Sequence, residues 1–473
     1  MSTKNFHQKN KSAKVIWMRF VKNNFLPIIA VFVLLIMIPV TVNLGRQISR
    51  LISEAEAVPA NIVVDAGILQ GILPRPFAGV AQGGELENDK KTLISILPVT
   101  GKLKALNMKY VRFDHIFNFP LAERLKEIRA VSAMGAFPVI SLSYYPATVA
   151  TSWTGRPYNW SAWETEVQSL IFRISSVTPN VYYEVWNEPD GRDFGNMSVS
   201  EYMVLYRHTV AAANRVKNVQ PFKIGGPAMA NPDNKSWMKD FVTKVATDKL
   251  RIDFLSWHRY HRDAEVFTRD LDYIDDILFT NNLSDRERLI TEWGTDPRPG
   301  AVHRSSFEAA HFVAVTRMLL DRVQVATKFE ARDGVFMGGG TAIKDGEGLG
   351  IFTYNGNDKP LTAVIRLLNK MGGYRILLGG EGTNVTGYAT KNSDSTNIIL
   401  VNFDKDSRHT EEVPISIRGL TPQETQIKKT VLDSFNSYGR TIIEQTTVDA
   451  SGELLLRQIM QANSVVLLEI QPL

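Results

Sequence analysis

Two glutamates stand in sequence contexts that suit acid–base chemistry on a sugar. Glu188 lies in the motif WNEP (186–189), and Glu292 lies in the motif TEWG (291–294). Two carboxyl groups facing each other across a pocket are what glycoside hydrolysis needs: one protonates the leaving oxygen while the other attacks the anomeric carbon or activates water. The two roles require different pKa values, which the surroundings of each carboxyl must supply. The alternative is that both are ordinary loop acids.

The elements around these motifs predict how the glutamates are positioned. From about residue 76 the chain alternates short β-rich runs with longer amphipathic stretches, which is typical of βα units around a parallel sheet. Eight runs are candidate strands: 77–81, 109–114, 137–143, 181–186, 222–226, 252–258, 288–293 and 333–337. Helical stretches separate most of them, such as 121–134, 160–177, 199–216, 236–246, 305–322 and 361–371. This pattern predicts an α/β fold, a (β/α)₈ TIM barrel over residues 76–373, with both glutamates at C-terminal strand ends, where barrel active sites lie.

A second domain is predicted after the barrel. Over residues 374–473 the helical pattern gives way to short alternating strands with turn residues between them, which favours an antiparallel β-sandwich. Residues 46–75 are predicted to be a linker that contains one strand, NIVVD (61–65), which returns to join the sandwich.

The N-terminus has the pattern of a membrane anchor. Residues 1–24 contain six basic and no acidic residues, and residues 25–45 are uncharged over about the 20 positions that a spanning helix needs. The positive-inside rule then predicts a basic cytoplasmic tail, a single-pass transmembrane signal anchor and an extracytoplasmic body on the cell membrane. The alternatives are a buried core helix and a signal peptide cleaved after Ala57, at the small-x-small pattern AEA (55–57).

Composition excludes several other classes of protein. The chain has 473 residues, with 54 Lys and Arg against 49 Asp and Glu, and no Cys, which excludes a disulfide scaffold, a thiolate metal site and a cysteine nucleophile. Residues 1–50 hold eight of the basic residues and no acidic ones, so the remainder has 46 against 49, a net charge of −3. The formal charge of +5 therefore reports membrane topology, and no nucleic-acid partner is predicted. No nucleotide-binding fingerprint and no zinc-ligand spacing is present, so no metal or organic cofactor is expected.

Three segments together resemble the clan of retaining (β/α)₈-barrel glycosidases. They are YEVWNEPD (183–190), DFLSWHRY (253–260) and ITEWG (290–294). Within that clan the chain is most similar to glycoside hydrolase family 39, which contains β-xylosidases and α-L-iduronidases, and to related bacterial exopolysaccharide hydrolases. That family carries a β-sandwich beside the barrel, and segments 431–439 and 463–470 are similar to its sandwich strands.

The resemblance implies roles for individual residues. Glu188 would be the general acid/base, and Glu292 would be the nucleophile that forms a covalent glycosyl-enzyme. Asn187 would bind the sugar hydroxyl beside the anomeric carbon, and Arg112 would keep Glu292 ionised. The other predicted substrate-binding residues are His258 and Tyr260, whose hydroxyl would orient the nucleophile, with Tyr144 and Trp293. A retaining pair is expected to hold its carboxyl groups about 5–5.5 Å apart.

Structural readings stand beside these roles, and the chain departs from the family pattern twice. Arg112 also suits a simple structural ion pair, and Glu184 also suits a structural, hydrogen-bonded group inside the barrel. Asp114-His115 stands where the family has His-Gly. The predicted last strand, DGVFMGGG (333–340), lacks the tryptophan that stacks under the sugar.

The sequence predicts a membrane-anchored extracytoplasmic retaining glycosidase with a polysaccharide or oligosaccharide substrate. An inactive carbohydrate-binding or scaffold protein and a transglycosylase with the same covalent intermediate remain alternatives. The sugar, the linkage, endo or exo action and the oligomeric state stay open, because they depend on loops.

Overall fold

The computed structural model describes residues 57–473, which include the compact unit Pro59–Leu473. The predicted cytoplasmic tail and transmembrane anchor lie outside the described residues. Within residues 57–473, no helix combines the length and the apolarity needed to cross a membrane.

Strands and helices alternate through the first two thirds of this unit, and strands dominate the last third. In chain order the strands are β1 (Ile62–Ile72), β2 (Gly79–Gln82), β3 (Glu85–Leu86), β4 (Tyr110–Phe113), β5 (Phe137–Leu142), β6 (Val181–Val185), β7 (Phe222–Met229), β8 (Phe254–Tyr260), β9 (Glu287–Gly294), β10 (Val325–Phe329), β11 (Phe336–Met337), β12 (Tyr374–Gly379), β13 (Val385–Lys391), β14 (Thr396–Asn402), β15 (Glu411–Arg418), β16 (Glu424–Leu432), β17 (Arg440–Thr447), β18 (Leu454–Met460) and β19 (Ser464–Pro472). The α-helices are α1 (Thr100–Ala105), α2 (Leu121–Ala133), α3 (Trp160–Ser175), α4 (Val199–Arg215), α5 (Lys235–Thr247), α6 (Glu265–Thr280), α7 (Ser306–Leu319) and α8 (Pro360–Lys370).

Eight parallel strands close into the predicted barrel. Their order around the barrel is β10-β2-β4-β5-β6-β7-β8-β9, so each strand lies beside its neighbour in the sequence and the last pairs with the first. Long helices cover the outside, and their N-termini carry local signals. Ser198 caps α4 in a reciprocal capping box with Glu201, and the Asn159 side chain accepts from the Ala162 N–H at the start of α3. The predicted (β/α)₈ barrel is confirmed.

The eighth barrel strand differs from the prediction. The barrel closes with β10, whereas the predicted strand 333–337 contributes only the two residues of β11, which pair with β3 in a separate ribbon. The sequence of β10, VATKF, contains Lys328 and is followed by Glu330. These two charged residues make the segment look unlike a buried strand, although all five residues of β10 are buried. Lys328 is buried against Glu308 of α7, at 3.1 Å from Nζ to Oε1, and this ion pair compensates the charge.

The second domain is rich in β-structure, as predicted. Its sheet has the order β17-β16-β19-β14-β13-β12-β1-β15-β18 and is antiparallel apart from the parallel pair β1–β15. The sheet folds over an apolar core to which both halves contribute, including Ile62 and Ile415 from one half and Ile398 and Leu468 from the other. Residues 61–65 thus lie in the strand that leaves this sheet to enter the barrel.

The barrel interior carries charge. Parallel barrel strands are buried on both faces, and β6 is entirely buried although it contains Glu184. Arg112 on β4 is fully buried as well. Buried charges at one level of a barrel require partners from facing strands, and those partners belong to the candidate active site.

Candidate active site

The backbone after β6 turns sharply and presents Asn187 and Glu188 at the C-terminal mouth of the barrel. Trp186 and Glu188 both have positive φ values, 73° and 47°, a conformation that costs side-chain-bearing residues of order 1–3 kcal/mol each. The turn is held by the Glu188 N–H, which donates to the Ala228 carbonyl at 2.9 Å, and by the Trp186 indole N–H, which donates to the Phe194 carbonyl at 2.8 Å. The strained turn is maintained by fixed contacts on both sides.

A bulge in β9 aims Glu292 into the same mouth. The register between β8 and β9 steps from Trp257 opposite Ile290 to His258 opposite Glu292, so one extra residue stands on the β9 side. A bulge redirects the side chains beside it. The Thr291 hydroxyl consequently donates to Glu184 at 2.7 Å deep in the barrel. Glu292, the next residue, also faces inward and accepts from Arg112.

The bulge also decides where Trp293 points. Trp293 is fully buried and stacks on Phe312 of α7, with ring centroids 5.0 Å apart and an interplanar angle of 22°. Its ring therefore packs between the barrel and the helices, and it does not line the mouth with Glu292. The structure corrects the prediction that Trp293 binds substrate.

Arg112 on β4 connects three polar side chains. Its Nε donates to Glu184 at 2.8 Å, Nη1 donates to Glu292 Oε1 at 2.8 Å, and Nη2 donates to Asn187 Oδ1 at 2.7 Å. The guanidinium is fully buried, and each of its three nitrogens has a partner. Arg112 thus positions Glu292 and Asn187.

Two residues of β8 contact the two glutamates. The Tyr260 hydroxyl donates to Glu292 Oε2 at 2.9 Å, and His258 Nδ1 lies 2.9 Å from Glu188 Oε1 and 3.7 Å from Glu292 Oε2. Both oxygens of Glu292 therefore have a donor, whereas the Glu188 carboxyl contacts the imidazole of His258. His258 stands between the two acids.

The two carboxyl groups are close together. One carboxylate oxygen of Glu188, one of Glu292 and a ring nitrogen of His258 all lie within 4.8 Å of one another. Inverting glycosidases separate their carboxyl groups by roughly 6.5–9.5 Å to hold a water between them, whereas retaining enzymes use about 5–5.5 Å. The observed spacing suits direct attack by one carboxylate.

The surroundings raise the pKa of Glu188. Burial raises the pKa of this carboxyl to about 8, and the nearby charge of Asp190 adds to the rise. Burial also raises the pKa of Glu292, but His258 and the Arg112 guanidinium oppose that rise. Two carboxyl groups this close do not ionise together without cost, so the one held by the guanidinium keeps the negative charge. These effects favour the proton on Glu188 and the negative charge on Glu292.

Asn187 is held from two directions. Its Oδ1 accepts from Arg112, and its Nδ2 donates to the Tyr144 hydroxyl at 2.9 Å. Nδ2 has two hydrogens, so one is left for a ligand. Tyr144 is fully buried and acts on the site through Asn187.

Asp114 fills the position where the family pattern has histidine. Its Oδ1 accepts from the Ser143 hydroxyl at 2.6 Å and from the His115 N–H at 2.7 Å, and its Oδ2 lies 3.4 Å from the Tyr144 hydroxyl. The charge of His115 and that of Arg112 lower the pKa of Asp114 against the effect of burial. Asp114 thus supports Tyr144. From the sequence alone, Asp114 was recognised only as a departure from the family pattern.

Further aromatic residues, outside the predicted substrate-binding set, line the wall of the site. Trp153 stands edge-on to Tyr144 with ring centroids 4.6 Å apart and leaves 43% of its surface exposed, and Phe194 stacks on Tyr144 at 6.0 Å. At the end of β10, Phe329 packs edge-on against Tyr260 at 6.3 Å. Phe329 is the last residue of β10, the strand that closes the barrel. The sequence prediction put the last strand at 333–337 instead, and so it did not identify Phe329 as the aromatic residue at this strand end.

Metal binding is an alternative use of this site. Among residues 57–473, the side chains with ligand atoms close enough together to hold a metal ion are Glu188, His258 and Glu292. Glu292 is already bound by the Arg112 guanidinium at 2.8 Å and by the Tyr260 hydroxyl. A fixed positive charge at that distance repels a cation. The donor set suits proton transfer and nucleophilic attack better than metal binding.

A (β/α)₈ barrel with two facing carboxyl groups at the C-terminal ends of its fourth and seventh strands is the architecture of a retaining-clan glycosidase. The family model for glycosyl hydrolases family 39 matches residues 156–441, more than half of the chain. The chain therefore belongs to glycosyl hydrolase family 39, and it is a glycosidase.

Individual relatives agree with this assignment. The chain is 24% identical over 350 residues to a β-xylosidase of Caldicellulosiruptor saccharolyticus, a match that covers 67% of this chain and 68% of the relative. The fold is similar to that of a monomeric β-xylosidase from Caulobacter crescentus CB15, with a TM-score of 0.73, 19% identity and coverage of 88% of this chain and 100% of the other. A GH39 enzyme from Xanthomonas axonopodis pv. citri gives a TM-score of 0.70 with 17% identity over 89% of this chain and 99% of the other.

Proposed function

We propose that the protein hydrolyses glycosidic bonds with retention of configuration, through a covalent glycosyl-enzyme on Glu292. The observation that carries the proposal is the separation of under 4.8 Å between carboxylate oxygens of Glu188 and Glu292. That distance agrees with the spacing of about 5–5.5 Å in retaining enzymes and is shorter than the roughly 6.5–9.5 Å of inverting enzymes.

In the first step Glu188 donates its proton to the glycosidic oxygen as the bond to the anomeric carbon breaks. A Glu292 oxygen attacks that carbon from the opposite face, and the leaving alcohol departs. In the second step Glu188, now ionised, takes a proton from water. The resulting hydroxide displaces Glu292, which restores both carboxyl groups and releases the sugar.

The neighbouring side chains support these steps at fixed positions. Arg112 and Tyr260 hold the two oxygens of Glu292 and favour its ionised form, in which it is nucleophilic. Asn187 offers an N–H to the hydroxyl beside the anomeric carbon, a bond that strengthens as positive charge develops in the transition state. Because Arg112 orients both Asn187 and Glu292, one buried cation aligns the binding group with the nucleophile.

Trapping of the covalent intermediate tests the proposal. A panel of 2-deoxy-2-fluoro glycosides with activated leaving groups is incubated with the protein, beginning with the β-xyloside, because relatives are named β-xylosidases. Trypsin places Glu292 in peptide 289–304 and Glu188 in peptide 174–192. We expect the added sugar mass on peptide 289–304. A label on 174–192, or turnover of ordinary aryl glycosides without any labelled peptide, contradicts the proposal.

We further propose that the protein is tethered to the cell membrane with its barrel outside the cytoplasm. The support is in the sequence: a basic segment 1–24 is followed by the uncharged apolar segment 25–45. Carbonate extraction of membranes from expressing cells, followed by protease treatment of intact cells or spheroplasts, tests both parts. Extraction into the soluble fraction contradicts the tether, and protection of the barrel from external protease contradicts the orientation.

A further inference from the structure

A cleft of about 490 Å³ opens beside the site, within the size range of small-ligand pockets. Four segments contribute to it: the loop after β5, the loop that follows Glu188, and the N-terminal turns of α3 and of α4. Its lining includes Tyr145, Arg156, Trp160, Asn196, Met197 and Glu201.

Two chain segments run from the site directly into this cleft. Trp153, which packs on Tyr144 at the wall of the site, is followed by residues 154–157, which line the cleft. Phe194, which also packs on Tyr144, is followed by residues 195–197, which line the facing side. The same loop carries Glu188 at its start, so the cleft lies along the loop that delivers the proton.

A polar group in the cleft wall lacks a protein partner. Tyr145 is only 3% exposed, and its hydroxyl has no hydrogen-bond partner within residues 57–473, while its ring packs on Trp186 at 4.5 Å. The hydroxyl oxygen is not fully enclosed, so it is open to water or to a ligand in the cleft. Because Tyr145 lines the cleft, a ligand there can supply that hydrogen bond.

The remaining side chains suit an uncharged polyhydroxylated ligand. Trp160 is half-buried, and its indole is held flat against His208, with centroids 4.6 Å apart and an interplanar angle of 5°. Arg156 and Glu201 form an exposed ion pair at 3.2 Å, which adds no net charge but offers donors and acceptors to hydroxyl groups. Aromatic surface combined with a few polar groups is the usual composition of a specific ligand site.

We propose that this cleft binds the saccharide units on the leaving-group side of the scissile bond, and that the substrate is an uncharged glycan of several units. The proposal rests on the function proposed above, because Glu188 protonates the leaving oxygen and the loop that carries Glu188 also forms the cleft. A chain leaving the site past Trp153 and Phe194 meets the cleft wall formed by Tyr145, Arg156 and Trp160.

The test compares binding and turnover in the full-length chain. Glu292→Gln protein, which retains the cleft, is applied to an array of neutral and acidic oligosaccharides of one to six units. We expect binding to neutral chains of three or more units, and about tenfold weaker binding when Trp160→Ala, Tyr145→Phe or Arg156→Ala is added. Arg156 is 92% exposed in its side chain, so its replacement tests the cleft without risk to folding. Phe172→Ala, at an exposed position on α3, is the matched control.

Turnover separates this proposal from the proposed function. For the glycan that binds, we compare kcat/KM for the oligosaccharide with kcat/KM for the aryl glycoside of the same sugar. We expect the ratio of the first to the second to fall about tenfold in the cleft variants. In Phe172→Ala the ratio should keep the wild-type value. Aryl-glycoside hydrolysis with no binding of any neutral oligosaccharide overturns the cleft proposal and leaves the function intact. Oligosaccharide binding that depends on the cleft residues, without hydrolysis of any glycoside, overturns the function and leaves the cleft. Equal ratios in all variants also overturn the cleft proposal.

Discussion

The Nη1 atom of Arg112 donates a hydrogen bond to Oε1 of Glu292 across 2.8 Å in the barrel interior. The second glutamate of the site, Glu188, has no contact with this guanidinium and lies beside His258 instead. Both acids lie near His258 and are affected by the charge of Arg112, but only Glu292 accepts a hydrogen bond from the guanidinium. This asymmetry supports the proposed assignment of the charge to Glu292 and the proton to Glu188, on which several predictions depend.

Tyr260→Phe removes one of the two donors to Glu292 and keeps the ring that packs on Phe329. The Glu292 charge is then less stabilised, so we expect kcat to fall about 10²-fold, as for the loss of one preorganised hydrogen bond. The pKa of Glu292 should rise, which moves the acid limb of the kcat/KM profile to higher pH. Trp293→Phe, whose ring lies behind the strand, is the control. A fall in kcat with an unmoved acid limb would indicate a packing effect only.

Glu188→Ala removes the general acid/base. We expect hydrolysis of glycosides with poor leaving groups to slow by roughly 10²–10⁴-fold. Azide is a nucleophile that needs no base, so it should partly restore turnover of an activated aryl glycoside and yield a glycosyl azide of retained configuration. The product is analysed by NMR. An inverted azide, or unchanged turnover without azide, contradicts the assigned role.

The alkaline limb of activity should report the proton on Glu188. The pKa of this group is raised to about 8, and the protonated form is the active one in the first step. Activity is therefore expected below that pH and lost as the pH rises through about 8, in kcat/KM for a substrate that needs acid assistance. Asp193, an exposed acid, contributes to raising this pKa. Asp193→Asn should move the limb to lower pH, and a shift to higher pH would refute the assignment.

A buried ion pair behind β10 should matter for stability. Lys359 and Asp333 are both about 1% exposed, and Nζ of Lys359 donates to Asp333 Oδ1 at 2.7 Å and to the Gly348 carbonyl at 2.8 Å. Lys359→Met leaves the buried Asp333 without its counter-charge and should lower the free energy of unfolding by about 3–5 kcal/mol.

Lys344→Met is the matched control, because the Lys344–Glu347 pair is exposed on the lysine side. Its loss should cost about 0–1 kcal/mol. Urea denaturation followed by circular dichroism compares the two variants. Equal losses in both would show that burial does not set the strength of the Lys359 interaction.

Seven of the eight barrel strands and the second β-rich domain follow from the sequence. Alternating β-runs and amphipathic helices are local patterns, and each element of the barrel contacts its neighbour in the sequence. The motifs around Glu188 and Glu292 fall at strand ends for the same reason, so their presence at one mouth was predictable once the barrel was inferred.

The closing strand and the direction of Trp293 were not predictable in this way. The charge of Lys328 made β10 look unlike a core strand, and only the tertiary structure shows Glu308 of α7 beside it. An unbroken strand alternates its side chains, but the bulge at Thr291 and Glu292 turns both inward and sends Trp293 toward Phe312. A bulge arises from the pairing of two strands, which a single strand's sequence does not specify.

The sequence alone determined the family resemblance, the two glutamates and the strand ends that carry them, because residue type and local periodicity are properties of the chain. The tertiary structure decided which donors hold each glutamate, which aromatic rings line the mouth and where the cleft beside it lies. Those properties depend on distances between residues far apart in the chain, such as Arg112 and Glu292, 180 positions apart, and such distances exist only after folding.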